Sequence, residues 1–263
     1  MFSIAGAGLS RPFAVRASVC CFLSLALSLP AWGQRGGAAA TPPTAKAAAP
    51  VDLTGYWVSL ITEDWRWRMV TPAKGDYPSI PLNEAGRRLA DAWDPAKDEA
   101  DGAQCKSYGA GNITRQPGRL HITWENDTTL RVDTDAGTQT RLFHFGNWKS
   151  PGGEPTWQGD STAQWEVAGG GRGGAGQNRS GNLKVVTSRA RPGYLQKNGV
   201  PYSADAVITE YFHRIDEDNG DSWLIVTTIV EDRQYLTGPF ARSSHFKKLP
   251  RASGWDPLPC TAR

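Results

Sequence analysis

From position 53 onward the apolar residues fall in short runs at a period of two, separated by Gly, Pro, Asn and Asp. That is the pattern of half-buried strands. The runs predict about ten strands, at 53–60, 65–70, 119–125, 129–134, 138–145, 162–167, 183–190, 204–215, 223–231 and 242–248. Asp135-Ala136-Gly137 and Asp218-Asn219-Gly220 read as hairpin turns, because Asn and Gly tolerate the positive φ such turns require. One helix is expected at 84–93, with Asn83 as its N-cap, Pro95 stopping it, and Ala85, Leu89 and Trp93 or Ala92 on one face. Several strands, such as the one with Leu224, Ile225, Val226, Ile229 and Val230, are apolar on both parities, so both of their faces are expected to be dry. Sequential hairpins with one short helix predict an all-β fold, an up-and-down barrel or a strongly curved sandwich, of which the antiparallel up-and-down β-barrel is the leading expectation.

The first 33 residues follow a different pattern. Arg11 and Arg16, no acids, an apolar run at 17–29 too short to span a bilayer, and Pro30-Ala31-Trp32-Gly33 make up a secretory signal with cleavage expected after Gly33. Residues 34–50 are small and Pro-rich and read as a flexible linker, with one barrel domain at 51–263. The glycine-rich stretch 169–181 reads as a long hairpin loop. No strand–loop–helix context or Lys-Ser/Thr ending makes it a phosphate cradle.

Export changes what the rest of the composition means. Of Cys20, Cys21, Cys105 and Cys260, only the last two survive cleavage, and in an oxidising compartment they predict one disulfide. The expected destination is periplasmic or extracellular, with no membrane anchor after cleavage. The mature chain carries 27 basic against 26 acidic residues without a basic stripe, which argues against nucleic acid as a partner. No cofactor motif and no metal spacing is present; His121, His144, His213 and His245 are scattered one to a strand. Nothing in the chain fixes an oligomeric state.

Gly55-Tyr56-Trp57 in the first strand resembles the Gly-x-Trp signature of lipocalins and other calycin barrels, which implies a Trp closing one end of the barrel. The segments around Asn198-Gly199-Val200-Pro201-Tyr202, Thr209-Glu210-Tyr211-Phe212 and Tyr235-Leu236-Thr237-Gly238 resemble a family of exported bacterial proteins of unassigned function. That likeness implies bacterial export and no activity.

Two constellations carry candidate chemistry. In Glu63-Asp64-Trp65-Arg66-Trp67-Arg68-Met69, strand alternation puts Trp65, Trp67 and Met69 on one face and Asp64, Arg66 and Arg68 on the other. With Trp57 the tryptophans make a stacking wall for a small, largely apolar ligand, aromatic or terpenoid. Arg66 or Arg68 then sits at a polar mouth. The competing reading is a core strand with a salt-bridged outer face. The second constellation is Glu210, which shares a face with Ile208 and Phe212, while Tyr211 and His213 occupy the other face. Either set can be the inward one.

The leading expectation is a lipocalin-like binder of an apolar small molecule. The alternative is a cofactor-free lyase, isomerase or hydrolase using Glu210 or Asp64 as general acid/base, with Tyr211 or His213 orienting the substrate. A third reading is a structural protein whose aromatics are all core. The polarity of the cavity separates the first two, and a solid core favours the third.

Overall fold

The period-two runs fold as strands almost where the pattern puts them. In a computed structural model of the chain, which describes residues 42–167 and 181–263, the strands are β1 (Gly55–Leu60), β2 (Arg119–Asn126), β3 (Thr129–Thr134), β4 (Gln139–Phe145), β5 (Asp160–Val167), β6 (Gly181–Ser188), β7 (Gly193–Gln196), β8 (Val200–Tyr202), β9 (Val207–Asp216), β10 (Ser222–Glu231) and β11 (Phe240–Leu249). Nine of them close into a barrel in the order β1-β11-β10-β9-β6-β5-β4-β3-β2, and β7 and β8 form a separate hairpin. The expected signal segment and all but the last residue of the glycine-rich stretch lie outside the described residues.

The barrel is mixed rather than antiparallel up-and-down. β4 and β5 run parallel, pairing Phe143 with Ser161 and Phe145 with Ala163. The cause is the connection: residues 146–159 carry the chain back to the end where β4 began, so β5 sets out in the same direction. The two expected turns do form tight hairpins, β3–β4 with Gly137 at φ 75° and β9–β10 with Gly220 at φ 86°.

Inside the barrel the inward side chains form three layers. Towards one end, Trp57, Ile122, Leu130, Phe143, Phe212 and Phe246 belong to one apolar cluster, each such side chain contributing about 1.5–3 kcal/mol relative to exposure. Towards the other end a second cluster includes Ile208, Val230, Phe240 and Tyr202. Between them lies a polar layer with Arg141, Glu210, Thr187 and Ser161, all buried.

The ends are covered by different parts of the chain. Residues 42–50, the described part of the expected linker, lie against the first end, where Trp165 Nε1 donates to the Ala45 carbonyl at 2.8 Å and Lys46 N to the Asp127 carbonyl at 3.1 Å. The second end is plugged by the β7–β8 hairpin, the 3-10 turns Gln104–Tyr108 and Ile113–Arg115, and three helices: α1 (Trp65–Arg68), α2 (Glu84–Asp91) and α3 (Pro95–Ala100).

α2 is the expected helix, capped by Asn83 Oδ1 accepting from Gly86 N at 2.9 Å. Its buried face is one residue out of phase with expectation: Gly86 and Ala90 face in and Leu89 faces solvent. Gly86 decides the phase, because a Cβ there would stand 2.5 Å from the Tyr235 carbonyl. Pro95 opens α3 at its first position, with Asp94 as cap, rather than only ending α2.

Candidate functional site

The 65–70 segment is not a strand. Asp64 takes the left-handed conformation, φ 51°, and its carbonyl accepts from Trp67 N at 2.9 Å and Arg68 N at 3.1 Å, starting α1 in place of an extended run. The alternating faces therefore do not exist. Trp65 is 63% exposed, Arg66 points outward to Asp76 at 2.9 Å, and Trp67 and Arg68 turn towards the plug. The stacking wall of Trp57, Trp65 and Trp67 is not assembled, since Trp57 is buried in the first cluster, its Nε1 donating to the Leu53 carbonyl at 3.0 Å.

α1 instead brings Arg68, 3% exposed, against Arg115, 7% exposed, in the 3-10 turn Ile113–Arg115. Each guanidinium is bound through some of its nitrogens and leaves one buried nitrogen without a partner among the described residues. Arg68 Nη1 pairs with Glu63 and its Nε donates to the Arg115 carbonyl at 3.0 Å; Arg115 Nη2 donates to Asp64 at 3.2 Å. Arg242 adds a second bond to Asp64 at 3.2 Å, and His245 faces Glu63 at 3.3 Å. Arg68 Nη2, Arg115 Nη1 and the indole Nε1 of Trp67 are buried without a hydrogen-bond partner among the described residues.

Trp67, Arg68 and Arg115 line a hollow of about 10 Å³, together with Asn112, Gln116, Gln196 and Lys197. Burial, with neighbouring Arg115 adding to it against the opposing pull of Glu63, brings Arg68 down to about 10. Burial also lowers Arg115, with Arg242 pushing the same way against Asp64. Arginine keeps its charge in proteins, and here three of them, Arg68, Arg115 and Arg242, share the two carboxylates Glu63 and Asp64.

Arg68, Gln116 and Lys197 also belong to the wall of a larger groove of about 440 Å³ at the plugged end. Met69, Tyr108, Pro117 and Leu258 give it apolar surface, and Arg119 and Asp135 stand on its rim. One side of the groove is the C-terminal tail. The expected Cys105–Cys260 disulfide holds it, with Leu258 N donating to the Asp135 carbonyl at 2.9 Å and Thr138 Oγ1 to the Leu258 carbonyl at 3.0 Å.

Glu210 is inward, on the Ile208 and Phe212 side, and Tyr211 and His213 are on the outer face. Its carboxylate is not left in apolar surroundings. Arg141 reaches across the lumen from β4 and binds it at two points, 3.0 and 2.6 Å, with the two residues 1% and 0% exposed. Thr187 accepts from Arg141 at 3.2 Å and is itself 2.7 Å from Ser161. Both carboxylate oxygens are thereby taken up by a buried partner. His213 is bonded to Asn182 at 2.6 Å and Asp64 is held by two arginines, so the acid/base set Glu210, Asp64, Tyr211 and His213 does not converge.

Among the described residues no group of three or more His, Cys, Asp or Glu is placed to hold a metal. No family model, no curated protein and no solved structure matches the chain.

The sequence reading missed Arg115, Lys197, Tyr108 and Arg141. Only Arg141 had a visible signal, since it shares the inward parity of Phe143 and Phe145.

Proposed function

We propose that this is an exported β-barrel that binds a small organic molecule, and that the ligand sits in the groove at the plugged end rather than in the lumen. The inward positions of the barrel are occupied by packed apolar side chains and by the Arg141–Glu210 pair, so a ligand there would have to displace them. The groove needs no displacement. The observation that carries this reading is the conjunction, in one concave site of about 440 Å³, of an apolar wall with a few charged groups, the cations Arg68, Arg119 and Lys197 against the carboxylates Asp135 and Asp256. This is the composition of a small-molecule site: mostly apolar contact with a few oriented polar groups. The stapled tail holds one wall in place, which limits the ordering cost of binding.

Native mass spectrometry of the protein purified from its own source tests this. The expected result is a retained small-molecule adduct that disappears in Met69→Asp/Leu258→Asp, two exposed positions on the groove wall. An adduct that survives both changes, or none in the parent protein, overturns the reading.

A further inference from the structure

We infer that the groove takes its ligand by a carboxylate, the head of which enters the hollow between Trp67, Arg68 and Arg115; this rests on the proposed groove binding and names the chemical class it serves. Arg68 Nη2, Arg115 Nη1 and Trp67 Nε1 are all N–H donors, all buried, and all unpartnered among the described residues. Arg68 and Trp67 come from α1 and Arg115 from the 3-10 turn Ile113–Arg115, so three residues from two separate elements line one hollow.

The donors are also held in place. Glu63 and Asp64 fix the far side of each guanidinium, so its free edge is presented without further loss of rotamer freedom. A buried donor left unpaired is destabilising, the more so when it carries charge.

A water molecule answers this arrangement poorly. It accepts two hydrogen bonds and must place two protons of its own, whereas a carboxylate offers about four lone-pair sites, no protons, and a charge opposite to the arginines. The hollow of about 10 Å³ has room for one water-sized group. One carboxylate oxygen fits it, leaving the second oxygen and the body of the ligand towards Lys197 and the groove. The apolar side chains Met69, Tyr108 and Leu258 then lie along that body, which favours an aromatic or aliphatic acid over a bare inorganic anion.

The test is isothermal titration calorimetry in chloride-free buffer with benzoate, benzamide and formate, on the full mature chain and on Trp67→Phe and Arg115→Met. Circular dichroism checks the fold of each variant. Benzoate is expected to bind at least about 30-fold more tightly than benzamide, the amide forfeiting the charge-assisted bonds. Arg115→Met is expected to weaken benzoate by a similar factor. Trp67→Phe, which deletes one neutral donor and keeps the ring, is expected to weaken it about 5-fold and supplies the answer if Arg115→Met does not fold. Equal binding of benzoate and benzamide, unchanged in Trp67→Phe, overturns the carboxylate and leaves the groove reading standing. Formate binding that depends on Trp67, with no binding of benzoate, supports the hollow as an anion seat and overturns the groove. No binding of any of the three overturns both.

Discussion

Glu210→Met leaves the Arg141 guanidinium in the lumen with its counter-charge removed. The parent pair makes two short bonds, 3.0 and 2.6 Å, at residues 1% and 0% exposed. Breaking a buried pair by deleting one partner costs about 3–5 kcal/mol, because the survivor stays desolvated and unpaired. Against a typical stability of about 5–15 kcal/mol that is about a fifth of the total or more.

Glu210→Met/Arg141→Met removes both charges and fills the same space with apolar atoms. The Thr187 and Ser161 hydroxyls keep each other as partners at 2.7 Å. The double variant is therefore expected to lie within about 1–2 kcal/mol of the parent, giving a coupling energy of at least about 3 kcal/mol. Urea unfolding followed by circular dichroism, with the disulfide oxidised throughout, reads this directly. At an m-value of about 3 kcal/mol/M, the single variant shifts the midpoint by about 1 M or more. A cost below about 1 kcal/mol for Glu210→Met, or a double variant that loses the sum of the two singles, would refute the reasoning.

Three further expectations come from other parts of the fold. Cys105→Ser/Cys260→Ser opens a loop of 155 residues, and the chain-entropy account gives a loss of about 5 kcal/mol, measured by urea unfolding of the variant beside the parent; no change in midpoint contradicts it. Gly109→Ala places a Cβ 2.1 Å from the Tyr202 hydroxyl, whose buried ring is also confined by Gly111 and Gly193, so thermal unfolding should report a loss of about 1–3 kcal/mol, and an unchanged Tm counts against the packing. Burial pushes Asp133 upward, but hydrogen bonds from Arg131 and Thr140 outweigh it and hold the carboxyl below its ordinary 3.8. Because its folded value is the lower one, this stability is present above 3.8 and lost as pH falls through the folded value. Asp133→Asn should therefore flatten the acid limb of a Tm-against-pH curve, and a parallel curve speaks against the assignment.

The barrel strands were legible because alternation and turn residues are local signals. β3 occupies 129–134 as read, and the other eight barrel strands shift by no more than about three residues at either end. Closure was the favoured of two readings, barrel or curved sandwich; the β4–β5 parallel pair was not legible, since it depends on where residues 146–159 travel and nothing local records that. The 65–70 segment failed for a local reason. Trp-Arg-Trp-Arg alternates like a strand, but Asp64 in the left-handed conformation starts a helical turn instead.

Of the groups around the proposed hollow, the sequence singled out the segment 63–69 and Arg68, whereas Arg115 and Lys197 sit in stretches with no periodicity and meet Arg68 only through the plug. Arg141 and Glu210 were the clearest missed inference: opposite charges on the apolar parity of two strands, β4 and β9, amount to a buried pair once the barrel closes.

The most direct test of the central claim is the indole N–H resonance of Trp67 in a ¹H–¹⁵N spectrum, assigned by its disappearance in Trp67→Phe and followed through titrations with benzoate and benzamide. The account predicts a saturable downfield shift with benzoate, as that donor gains a charged acceptor, and little movement with benzamide. A Trp67 resonance that stays in place while benzoate binds elsewhere on the protein would contradict it.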